Sequence, residues 1–171
     1  MAENKLYDPA FLKQQAAKTS GSSKKHLNKV KAKRPRKLDE LFQLLHNRVF
    51  NEIDCLKCAN CCRNLGPRLT QKDIERLAKA VSMKPVSFIE KYLRIDEDRD
   101  YVFKGMPCPF LASDNYCMVY ENRPKACRDY PHTDAPKMLT LLNLALKNLE
   151  TCPAVYLIVE ELKQIPINEI K

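Results

Sequence analysis

Four cysteines fall within eight positions, Cys55, Cys58, Cys61 and Cys62, in the stretch CLKCANCC. Four more follow singly at Cys108, Cys117, Cys127 and Cys152. A free cysteine behaves as a small buried hydrophobe, but four in one short turn of backbone cannot all be core filler. They are there for their sulfur. A two-residue gap lets a tight turn aim two thiolates at one ion, at zinc–sulfur distances of ~2.3 Å. Two such gaps in series also match the C-x2-C-x2-C corner of a bacterial iron–sulfur site, whose pattern ends in Cys-Pro; Cys152-Pro153 supplies that pair here, but far downstream rather than at the ferredoxin spacing.

Zinc and an iron–sulfur cluster both stay open. Four thiolates close one tetrahedral zinc site and eight serve two, but the later cysteines do not form a second C-x2-C pair. Spacing therefore leans towards a cluster. Adjacent side chains of an extended segment face opposite ways, so Cys61 and Cys62 reach one ion only where the backbone turns sharply. Cys62 is the member whose ligation the spacing leaves open. A disulfide framework is the competing structural reading. A chain of 171 residues buries a core without such staples, and in a reducing compartment cysteines serve metal or redox chemistry.

The blocks CLKCANCC, PCPFL, YCMVYENRPKACRDYP and CP at 152–153 together resemble the CxxCxxCC (YkgJ-type) cysteine-cluster family, described as zinc- or iron-chelating. The resemblance spans about residues 50 to 155. It implies a ligand set of Cys55, Cys58, Cys61, Cys62, Cys108, Cys117, Cys127 and Cys152. Tyr120, Arg123, Pro124 and Arg128 match the family's Y-x-x-R-P-x-x-C-R block. The family is also similar to the cysteine-rich part of flagellin lysine N-methylases, which implies an iron–sulfur centre. Arg123 and Arg128 flank Cys127 and have two readings: offsetting thiolate charge, or pairing with Asp129 and Glu121 at the surface. His132 is a candidate ligand or plain polar surface; His26 and His46 are read as uninvolved.

The elements that must hold these residues read as mainly α with small β elements. The expected architecture is a single domain of about five helices over 39–171 around a cysteine-rich metal-binding core, with a basic arm over 1–38. Leu41, Phe42, Leu44, Leu45, Val49 and Ile53 recur at helical spacing and lead into the cluster. Thr70 to Asp73 forms a capping-box start for a helix carrying Ile74, Leu77, Ala78 and Val81. SMKPVSFIEKYL is a third helix with Pro85 in its first turn, and PKMLTLLNLALKNLE and CPAVYLIVEELKQI are two more. A short helix is expected between Pro124 and Pro131. Acidic IDEDRD reads as a surface connection, and YVFKGMPCPFLASDNYCMVY as a β-hairpin turning at Asp114 and Asn115.

The charge of +9 is confined to the arm; from Asp39 onward, basic and acidic residues balance. The arm's centre, TSGSSKKHLNKVKAKRPRK, reads as mobile or weakly helical, with AFLKQQAAK as a short helix and Tyr7, Phe11 and Leu12 able to dock. Its lysines imply weak, non-specific polyanion binding. Three glycines, none close together, exclude a glycine-rich phosphate loop or dinucleotide fingerprint, and G-x-S-x-G and H-E-x-x-H are missing. Any chemistry occurs at the metal. No apolar run spans a membrane and the N-terminus lacks an apolar leader, so a cytoplasmic protein is expected. Metal binding, with a protein partner or regulatory role, leads. The alternatives are a lysine N-methylase-like metal-dependent or iron–sulfur enzyme, and a zinc-stabilised nucleic-acid-binding protein.

Overall fold

The computed structural model describes residues 3–170, with side chains from Lys5 onward. In chain order the elements are α1 (Glu3–Leu6), α2 (Pro9–Lys33), α3 (Leu38–Phe50), α4 (Cys55–Cys58), α5 (Asn60–Asn64), α6 (Gln71–Ala80) and α7 (Pro85–Tyr92). Then come β1 (Leu93–Ile95), β2 (Tyr101–Phe103), α8 (Lys125–Asp129), α9 (Met138–Asn148) and α10 (Pro153–Leu162), with 3-10 turns at Tyr120–Asn122 and Ile167–Glu169. The chain is mainly α with one small sheet, as its periodicities imply. No helix among the described residues is long and apolar enough to cross a membrane.

Packing divides the chain into two compact units. The first joins the segment ending at Cys55 to the segment beginning at Pro131. It is built from α2, α3, α9 and α10. Leu38, Phe42, Leu45 and Val49 of α3 recur at three- and four-residue spacing and are all buried, as are Val155, Ile158, Val159 and Leu162 of α10. Asp39 caps α9 from α3: its carboxylate accepts from the amides of Lys137 and Met138 at 2.8 Å each. Those are donors that a helix start leaves without an internal partner.

The helix expected over AFLKQQAAK extends across Pro9–Lys33, through the Gly-Ser stretch. The reason is packing. Leu12, Ala16, Ser23, Leu27 and Val30 are buried on one face, and tertiary burial of such a face outweighs weak propensity. Asp8 caps the helix start, accepting from the amide of Phe11 at 2.8 Å.

The second unit is Leu56–Tyr130. Its core holds Leu69, Ile74, Leu77, Ala78, Phe88, Leu93, Phe103, Phe110 and Val119, with Cys108 and Cys117 packed against it. Phe110 stacks on Phe88 at 6.0 Å and meets Phe103 edge-on at 5.8 Å, which fixes the segment carrying Cys108. A hairpin also forms just before the expected one. β1 pairs antiparallel with β2, Leu93 opposite Phe103, so the acidic IDEDRD is its loop rather than a plain connection. The Asp96 carboxylate closes that loop by accepting from the amides of Asp98 and Asp100. At Asp114 and Asn115 the chain turns as its sequence implies: the antiparallel bridge Leu111–Cys117 is flanked by the amide of Ala112 donating to the carbonyl of Tyr116 and the amide of Met118 donating to the carbonyl of Phe110, 2.9 Å each.

Candidate metal centre

The cysteine-rich stretch folds as two single turns, α4 and α5, separated by Ala59 at φ 49°. That left-handed conformation is uncommon for a residue with a side chain, and here it reverses the chain directly after Cys58. The sequence left open whether the backbone turns sharply enough for neighbouring cysteines to work together. It does: Cys61 and Cys62 lie within α5, and their sulfurs are 3.9 Å apart. Two ligands of a tetrahedral ion with 2.3 Å bonds stand ~3.8 Å apart.

Two side chains fix this turn. Arg63 donates to the carbonyl of Cys58 at 2.8 Å and to the side-chain oxygen of Asn115. Asn115 in turn donates to the carbonyl of Lys57 at 3.0 Å. Asn115 has φ 71°, a conformation that asparagine tolerates. The amide of Cys108 donates to the carbonyl of Cys62 at 2.8 Å, bringing the PCPFL segment onto the same turn.

Electrostatics identify Cys62 as the common neighbour. Its thiol is drawn down to about 7, chiefly by the hydrogen bond from Cys61, against the effect of burial and with help from the guanidinium groups of Arg123 and Arg63. Burial raises the other thiols: Cys58 and Cys117 upward, Cys108 to about 11 and Cys127 to about 12. In all four, a negative charge on Cys62 adds to the rise, and Cys108 and Cys117 add further to that of Cys127. Cys58, Cys61, Cys62, Cys108, Cys117 and Cys127 all belong to the second unit, with the sulfurs of Cys61 and Cys62 3.9 Å apart.

Cys55 and Cys152 belong to the first unit. Cys55 is exposed and opens α4; Cys152 is buried at the N-cap of α10, before Pro153. Among the described residues, no three His, Cys, Asp or Glu side chains stand in ligating arrangement around one point. The donor set fits a thiophilic metal in chemistry and number, and closing around one requires the raised thiols to lose protons and draw in. His46 is held by Thr133 at 2.8 Å and lies 4.4 Å from Phe50.

The block carrying Cys127 is braced by a network that the sequence signals only as a helix cap. Thr70 and Asp73 form the expected capping box. Asp73 also accepts from Arg76 at 2.5 Å and from the amide of Lys125 at 3.0 Å. Arg76 reaches on to the carbonyls of Asn122 and Arg123 at 3.3 and 2.7 Å. Burial disfavours the Asp73 carboxylate, yet its bonds from Thr70, Arg76 and Lys125 outweigh this and hold it at about 2. The two arginines flanking Cys127 differ. The guanidinium carbon of Arg123 sits over the Tyr120 ring, 3.5 Å from its centre, and its charge lowers Cys62, Cys117 and Cys127. Arg128 is exposed and donates to the carbonyl of Arg123 at 2.7 Å, while Asp129 pairs with Lys125.

Comparison with known proteins finds the domain family CxxCxxCC, “Putative zinc- or iron-chelating domain”, matching residues 54–153. No curated protein and no solved structure matches the chain.

Proposed function

The chain belongs to the CxxCxxCC family, and from that premise we propose that it holds a metal centre through its cysteines. The single observation carrying this reading is the approach of the Cys61 and Cys62 sulfurs to 3.9 Å on one sharp turn, a separation that suits two ligands of one ion. Cys58, Cys108, Cys117 and Cys127 lie in the same unit, and a charge on Cys62 adds to the rise that burial gives their thiols. Apolar packing does not call for six thiols in one unit with Arg63 and Arg123 among them. Soft, anionic ligands for a cation do.

Six thiols exceed the four that one closed zinc site or one iron–sulfur cluster takes; the C-x2-C-x2-C spacing of Cys55, Cys58 and Cys61 is what favours a cluster over a single zinc ion. Two zinc ions are the second reading, supported by the same surplus of ligands. Arg63 and Arg123 offset the negative charge that a thiolate cluster carries, a lever known to tune such centres. Reduced thiols in this number suit a reducing compartment, so the working location is the cytoplasm.

Anaerobic purification of the full chain with an absorption spectrum and iron, sulfide and zinc analysis tests the reading. A brown protein containing iron and sulfide supports a cluster. A colourless one with two zinc ions supports the second reading, and a chain without either metal overturns both.

A further inference from the structure

Between Pro9 and Leu38 the chain has ten Lys and Arg and no Asp or Glu. Most of this segment is α2, and its buried face rests on Leu12, Ala16, Leu27 and Val30. The opposite face is left to solvent. At ~100° per residue, Lys18, Lys25 and Lys29 fall on one edge of that face and Lys13 and Lys24 on the other. Ala17, Gly21 and Asn28 lie between them, and all eight residues are exposed. Lys31 is engaged with Asn143 at 3.0 Å. The exposed half therefore has two cationic edges separated by a low ridge of small side chains.

We propose that α2 docks on duplex DNA, with its two lysine edges against the phosphates on either side of the major groove. The B-form groove is ~12 Å wide and admits one α-helix. The 25 residues of α2 extend ~37 Å, about one turn of duplex. Ala17 and Gly21 on the ridge allow close approach; Asn28 can pair with an adenine edge, but the lysine–phosphate contacts supply most of the binding, so it depends little on sequence. A membrane surface fits less well. Exposed positions of α2 include no Leu, Ile, Val, Phe or Trp, whereas an interfacial helix buries an apolar face in lipid. Here that face already packs inside the first unit. Docking α2 is independent of the metal reading.

The test is fluorescence anisotropy of the full chain with a labelled 20-base-pair duplex at 50 to 200 mM salt. Deleting the segment would remove core residues, so the lysines are substituted instead. Five phosphate contacts predict a loss of about 10²- to 10³-fold in affinity across that salt range. Lys18→Gln, Lys25→Gln and Lys29→Gln together should weaken binding at least about tenfold at 100 mM salt and flatten the salt dependence by nearly three powers. The matched control, Lys72→Gln, Lys79→Gln and Lys84→Gln, removes the same charge from exposed positions of the second unit and should change affinity less than about threefold. Equal loss in the two triples, or no binding by the native chain at 50 mM salt, overturns the proposal. So does equal affinity for duplex RNA, whose major groove is too narrow for a helix, or binding only to phosphatidylserine vesicles.

Discussion

The amide of Cys108 donates to the carbonyl of Cys62 at 2.8 Å, joining two cysteines that are far apart in the chain through backbone alone. If a metal binds the thiols around Cys62, that hydrogen bond lies inside the segment the metal holds. Removing the metal by chelation should therefore speed exchange of the Cys108 amide by about tenfold or more. The amides of Leu45 and Leu142, in the helical core of the first unit, should change little. Unchanged exchange at Cys108 would mean that the metal does not hold this turn.

The metal-free chain should show unequal thiols. Cys62, brought to about 7 chiefly by Cys61, should be alkylated by iodoacetamide with a rate that is half-maximal near pH 7, because the thiolate is the nucleophile. Cys108 and Cys127, raised to about 11 and 12 mainly by burial, should stay unreactive through pH 9. Peptide mapping by mass spectrometry reads this directly. Uniform alkylation across the three would contradict the placement of charge around Cys62.

Much of the helical frame is legible in the sequence, because it is carried by local signals. Phe42, Leu45 and Val49 mark α3 by spacing, Thr70 and Asp73 mark the start of α6, and Pro85 and Pro153 open α7 and α10. What the sequence hides is tertiary. Nothing in TSGSSKKH announces a helix, since its burial depends on partners in α9 and α10 more than a hundred residues away. The left-handed Ala59 is equally silent, although it decides that Cys61 and Cys62 share a turn. Spacing finds the cysteines but not that Cys62, the member with the weakest case by spacing, shares a turn with Cys61 at 3.9 Å. Arg63 and Asn115 leave fainter signals, an arginine next to a cysteine pair and an asparagine in a turn.

Asp73 should make the fold sensitive to acid. Its carboxyl has a lower pKa folded, about 2, than its ordinary value of 3.8. The resulting stability is fully present above about pH 4 and is lost as pH falls towards 2, roughly 2 kcal/mol in all. Asp73→Ala should cost about 3 kcal/mol at pH 7, because it strands Arg76 and the amide of Lys125. Urea unfolding at pH 7 and pH 3 should show the variant losing less than the native chain over that interval. An equal loss would place the acid sensitivity elsewhere.

Arg63 holds the turn rather than the metal. Arg63→Met keeps the aliphatic stem but removes the donors to Cys58 and Asn115. It should cost about 1–3 kcal/mol of stability and speed metal loss to a chelator by about 10- to 100-fold. Native rates of metal loss in the variant would show that the turn is held by other contacts.

Metal content in single Cys→Ser variants tests the central claim most directly. Each of Cys58, Cys61, Cys62, Cys108, Cys117 and Cys127 is replaced in turn, with iron and zinc measured per folded chain after anaerobic purification. The account predicts that Cys62→Ser loses most of the bound metal and that no other member of the six loses more. Full native metal content in Cys62→Ser would contradict it.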